Sequence, residues 1–159
     1  MKLSKNFSLA ELCKSQTATR KGINNIPDSS FDSDIIDNLK ALCQNVLQPI
    51  RDNYNAPFSP SSGYRCPELN TAIGGSKTSQ HSRGLAADIE IAGVPNAVLA
   101  QWIEDNLDYD QLILEFYKKD IPNSGWVHVS YNIEESALVK NRKESLTYDG
   151  KKYMKGLIY

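Results

Sequence analysis

The run "GGSKTSQHSRGLAADIEI", residues 74–91, places a carboxylate inside an otherwise apolar strand. Ala87, Ile89 and Ile91 alternate with Asp88 and Glu90, a period of two that predicts a β-strand with one polar face. His81, one of only two histidines in the chain, stands seven residues earlier in a loop rich in Ser, Gly, Lys and Thr. A charge in mid-strand is tolerated on a solvated face or where it is paired.

Upstream, "FSPSSGYRCPELN" (58–70) reads as a short extended piece ending at Arg65, then a turn of helix opened by Pro67 and stopped by Gly74-Gly75. Further back, Ile35, Ile36, Leu39, Leu42, Cys43, Val46, Leu47 and Ile50 recur at three- and four-residue spacing. They predict an amphipathic helix from about 32 to 53, with Ser29, Ser30 and Asp32 as caps and Pro49 kinking or ending it. "FSLAELC" (7–13) predicts a short helix with Ser8 and Glu11 as a capping box, and a polar loop (14–30) joins the two. Downstream, Pro95 opens a helix through Val98, Leu99, Trp102, Ile103 and Leu107. "QLILEF" (111–116) and "GWVHVSY" (125–131) form a hairpin pair, and Asp149-Gly150 marks a two-residue hairpin turn in the tail. Helices first and short strands later predict an α+β fold, one domain over 1–159 with a small, mainly antiparallel sheet and helices packed on one side.

Composition excludes several classes. A length of 159 residues supports one core, and a formal net charge of −1 argues against affinity built on phosphate neutralisation, so no nucleic-acid partner is expected. No apolar run of membrane-spanning length occurs and no signal peptide is visible, so synthesis in the cytoplasm is expected. The three cysteines, without CxxC spacing, fit reduced thiols better than a disulfide framework.

Three polar residues break the strand patterns: Asp88, Glu115 and His128. Each alone can be a polar residue on the wet side of a half-exposed sheet. His81, Asp88 and His128 together make two imidazoles and a carboxylate, a ligand set that catalytic zinc sites use with a fourth position left for water. The spacing is not a short helical zinc motif such as HExxH, so chemistry alone leaves both readings open.

The chain resembles the zinc D-alanyl-D-alanine carboxypeptidases and L-alanyl-D-glutamate endopeptidases that act on peptidoglycan, which share the fold of the hedgehog signalling domain. The resemblance rests on S-x-H-x-x-G-x-A-x-D (Ser79, His81, Gly84, Ala86, Asp88), then W-x-H (Trp126, His128), with "SGYR" ahead of them. It runs from residue 7 to about 131, densest from about 60; residues 132–159 carry no motif. The N-terminal "FSLAELCKSQTATRKGINNIP" is similar to a branch common in bacteriophages. The resemblance implies one Zn²⁺ per chain, held by His81, Asp88 and His128. It implies that Arg65 stabilises charge on the substrate and that Ser79 helps to position it. Many members carry Asp or Glu three residues before the last histidine; here that position is Gly125. Glu115 is therefore the expected general base. Glu90, about 7 Å along the strand from Asp88, is the reserve, and Asp110 and Asp120 are weaker choices. The implied activity is hydrolysis of an amide bond in peptidoglycan stem peptides by a lysin-like enzyme, with a monomer favoured. The rival expectation is a metal-retaining wall-binding or virion structural module without peptidase activity.

Overall fold

The computed structural model describes residues 1–133 and 140–159. Helix α1 (Leu9–Leu12) is closed by the expected box: the Ser8 hydroxyl accepts from the Glu11 N–H, and the Glu11 carboxylate accepts from the Ser8 N–H. The polar loop expected next contains a helix, α2 (Gln16–Lys21), capped by Ser15 and ended at Gly22. Only Ala18 of this helix is buried, so it carries no apolar periodicity; the capping serine and glycine were its readable signals.

The amphipathic helix forms as α3 (Ser33–Leu42), a π-turn (Cys43–Leu47) and α4 (Gln48–Tyr54). Pro49 does not end it. The proline lacks an N–H and its ring crowds the carbonyl four residues back. The chain meets this with the wide turn just ahead, where the Gln48 N–H reaches the Cys43 carbonyl, five residues away. Asp32 stands at the N-cap, but its carboxylate accepts from the Asp28 N–H instead of capping α3.

After α5 (Pro67–Ala72), a 3₁₀ turn (Gln80–Arg83) leads into β1 (Ala86–Ile89), α6 (Asn96–Asn106), β2 (Gln111–Glu115), β3 (Trp126–Ser130), β4 (Glu144–Tyr148) and β5 (Tyr153–Lys155). The sheet order is β1-β3-β2-β4-β5, antiparallel throughout except β2 beside β4. The expected mainly antiparallel α+β architecture is therefore present. The β4–β5 link is four residues, 149–152, not two, because the Asp149 carboxylate folds over the Lys151 and Lys152 N–H groups.

Alternation divides the sheet. Ala87, Ile89, Leu112, Leu114, Val127 and Val129 enter the core with Leu39, Val46, Leu47, Ile50, Leu99 and Ile103 from the helices. Burying such side chains contributes about 1.5–3 kcal/mol each, which fixes strand register. The opposite face carries Asp88, Ile113, Glu115, Trp126 and His128. The polar face expected of β1 is not solvated: all four of its residues, Asp88 included, are buried. Segment 61–62 covers its free edge, the Ser61 N–H donating to the Asp88 carbonyl and the Asp88 N–H to the Ser62 carbonyl.

Candidate metal centre

Strand register brings two of the polar residues face to face. Asp88 on β1 lies directly opposite His128 on β3, and Ile113 on β2 flanks His128 on its other side. His81 arrives from the 3₁₀ turn, which Gly84 ends at φ +72°; a Cβ there would sit 2.7 Å from the Ile35 carbonyl oxygen. A glycine is thus required both by conformation and by the approach to α3. All three residues are buried, between 4 and 8% exposed.

Their polar atoms converge. His128 Nδ1 lies 3.0 Å and His81 Nε2 3.4 Å from Asp88 Oδ1, and the two nitrogens are 3.3 Å apart. His81 Nδ1 is 2.8 Å from the Gly63 carbonyl oxygen, which can only accept, so Nδ1 carries a proton and Nε2 is the nitrogen turned to Asp88. His128 Nε2 is 3.0 Å from Gln80 Oε1, and its Nδ1 faces the Asp88 carboxylate. Two imidazole nitrogens and a carboxylate oxygen turned to one point suit a divalent cation. Among the described residues this is the group that could hold a metal ion. Burial pushes the Asp88 carboxyl up, but hydrogen bonds and charge from His128 and His81 outweigh it and hold it well below the usual carboxylate range. Asp88 is therefore ready as an anionic ligand.

The same cleft, about 300 Å³, gathers the remaining sequence candidates: Arg65, Ser79 and Glu115 line it together with Trp126 and Tyr153. Arg65 Nε donates to Ser62 Oγ at 3.0 Å and Nη2 to Asp88 Oδ2 at 3.5 Å. Burial lowers its pKa, offset in part by the charges of Asp88 and Glu115. Glu115 ends β2 opposite Trp126, one diagonal step from His128. Burial first, and then the Asp88 charge, push its carboxyl above the ordinary value, against the opposing pull of His128 and Arg65. Ser79 precedes the 3₁₀ turn and its side chain makes no capping bond there.

The other carboxylates stand apart. Glu90 and Asp120 are exposed and outside the cleft lining. Asp110 is 3% exposed and is engaged by Arg142 Nη2 at 2.7 Å.

Gly125 explains the missing acid at the commoner base position. Its φ is +68°, and a Cβ built there would overlap the Glu115 carbonyl oxygen and sit 2.7 Å from the Phe116 carbonyl carbon. No side chain fits at residue 125 while β2 ends where it does.

Sequence reasoning missed Gln80, the Asp110–Arg142 pair and Tyr153. Gln80 occupies an unspecified position of the S-x-H motif, and Arg142 and Tyr153 lie in the stretch without motifs; only the sheet brings them to the site. A larger groove, about 550 Å³, adjoins the cleft and shares Arg65 with it; Lys14 and Arg20 line it, and no acidic residue does.

A protein-family model described as Peptidase M15 matches residues 5–130. No curated protein sequence matches the chain.

Proposed function

This chain belongs to the peptidase M15 family, and from that premise we propose a zinc-dependent peptidase that hydrolyses an amide bond in peptidoglycan stem peptides. The observation that carries the reading is the convergence of His81 Nε2, His128 Nδ1 and Asp88 Oδ1 beside Glu115 and Arg65 in one cleft. His81, Asp88 and His128 are the metal ligands in this proposal. Zinc bound there acidifies water and polarises a carbonyl oxygen.

The chain's own residues supply the rest. Glu115, its carboxyl raised toward neutrality, takes a proton from the attacking water as oxygen bonds to the scissile carbonyl carbon. It returns that proton to the amine nitrogen as the carbon–nitrogen bond breaks. Arg65 holds the developing oxyanion or a substrate carboxylate with a guanidinium that stays charged. Ser79 offers a hydroxyl at the rim for positioning substrate.

The cationic groove beyond Arg65 supports an anionic peptide, and stem peptides carry free carboxylates. A lysin-like role on the cell wall, after synthesis in the cytoplasm, belongs to this proposal. Among the described residues no helix is long and apolar enough to cross a membrane.

The test is mass spectrometry of peptides released from purified walls, with and without a chelator. Release that stops on metal removal and returns with zinc is the expected result. Release that survives thorough metal removal overturns the zinc assignment. Binding to walls with no peptide released overturns the enzyme reading in favour of a wall-binding module.

A further inference from the structure

We infer that the rings of Trp126, Phe116, Tyr148 and Tyr153 form a platform on which a pyranose ring of the glycan stacks, so that the chain acts on stem peptides still joined to sugar. The inference rests on the peptidase reading above and adds to it a second binding surface beside the cleft.

Strand register assembles the row. On the face of the sheet that carries the metal centre, Glu115 lies between Trp126 on β3 and Tyr148 on β4, and Tyr148 lies opposite Tyr153 on β5. Phe116, one residue past the end of β2, bridges two of them. Its ring centroid is 4.9 Å from that of Trp126 and 5.3 Å from that of Tyr148. Tyr148 and Tyr153 stack at 4.4 Å and 25°. Trp126 and Tyr153, at the two ends of the row, both line the metal cleft.

The row is not core. Tyr153 is 60% and Phe116 40% exposed, and all four residues stand outside the buried cluster beneath the sheet. Phe116 also holds φ at +55°, a conformation that a bulky residue rarely adopts. Strain retained for an exposed ring is explained by a ligand that covers it. Among the described residues, the Trp126 indole N–H and the Tyr148 and Tyr153 hydroxyls donate to no protein group. A pyranose presents a flat patch of C–H bonds rimmed by hydroxyls. Aromatic faces cover the first, and the free polar tips meet the second. A methyl or carboxylate side chain of a stem peptide would use neither the breadth of the row nor its tips.

Sheet order sets the direction of the substrate. The groove that holds Lys14 and Arg20 shares Ser61 and Ser62 with the cover over the free edge of β1, whereas the aromatic row ends on β5, the opposite edge. Carboxylates of the stem peptide suit the cationic end. The aromatic end is left to the sugar from which the peptide hangs. Tyr148 and Tyr153 lie beyond residue 130, where the family match stops.

Peptide-free glycan strands are the probe, because they can bind without being cut. In ¹⁵N-labelled wild type the two tryptophans give two indole N–H signals. Adding the strands should move that of Trp126 and leave that of Trp102, which packs against Tyr54 in the helical layer. A Trp126 signal that moves no more than that of Trp102 overturns the inference. Tyr153 stands exposed on the edge strand, so Tyr153→Ala leaves the core intact. It should weaken glycan binding about tenfold, the order expected when one aromatic anchor is lost. It should also lower kcat/KM more on sugar-bearing stem peptides than on the same peptides without sugar. Equal losses on both substrates assign the row to peptide and overturn the inference. If wild type binds glycan but releases no peptide, the peptidase reading fails and the platform stands. If it binds no glycan and cuts both substrates equally well, the platform fails and the peptidase reading stands.

Discussion

Replacing Gly125 with aspartate restores an acid at the position where many family members carry one, yet here it should damage the protein and rescue nothing. Two costs follow from the structure. A φ of +68° costs a residue with a Cβ about 1–2 kcal/mol. The new Cβ also meets the Glu115 and Phe116 backbone, which cannot rotate aside as a side chain would. Moving packed backbone costs about 1–3 kcal/mol more. Together these give about 2–5 kcal/mol, and at about 2–4 °C per kcal/mol for a chain of this size the melting temperature should drop by roughly 4–20 °C. The displaced backbone is that of Glu115 itself, so activity should fall even in the folded fraction. The assay is thermal unfolding by circular dichroism beside peptide release from walls, on Gly125→Asp alone and combined with Glu115→Gln. A single variant that melts within a degree of wild type would refute the steric argument. A double variant that regains hydrolysis would refute the claim that residue 125 cannot seat an acid here.

Glu115→Gln should cost about 10²–10⁴ in kcat/KM, the contribution of a general base. The same change should stabilise the fold at neutral pH. The Glu115 carboxyl titrates higher in the folded state, so its stability contribution is present at acid pH and lost as pH rises through the folded value. Urea midpoints of variant and wild type should therefore converge below about pH 4; a variant less stable at neutral pH would contradict this. Tyr153→Ala removes one wall of the cleft and should raise KM while leaving zinc affinity unchanged; equal losses in both would show a structural role instead. Burial pushes the Cys13 and Cys43 thiols up to about 12, the Glu11 charge adding to it for Cys43. A neutral thiol reagent should label only the half-buried Cys66 quickly, and the other two at the rate of opening. Three fast thiols would contradict the core described here.

The site was legible where chemistry interrupts a period. Asp88 and His128 stand out because strand alternation assigns them to a face that ought to be either wet or functional, and the register then sets them opposite each other. Glu115 could be chosen only by assuming that "LILEF" pairs with "WVHVSY", and that pairing is present. Local patterns could not reveal contacts closed by distant segments. The cover over β1 comes from residues 61–62, and the grip on Asp110 comes from Arg142, 32 residues away. Nor could sequence show why Gly125 is a glycine, since the reason is a carbonyl on the neighbouring strand. The π-turn ahead of Pro49 escaped for a related reason: it has no signature in hydrophobic spacing.

The parallel seat of β4 beside β2 bears on how the protein can be cut and engineered. A fragment ending at residue 130 would contain every sequence-chosen site residue and the whole stretch that marks the family. It would also strip β2 of its neighbour and turn a central strand into a bare edge with unpaired N–H and C=O groups. Such an edge is a template for strand addition from another chain, and self-association would compete with folding. The segment by which the family is recognised is thus shorter than the sheet that pairs its strands. Truncation or fusion should keep β4 and β5 with β2 instead of cutting after β3.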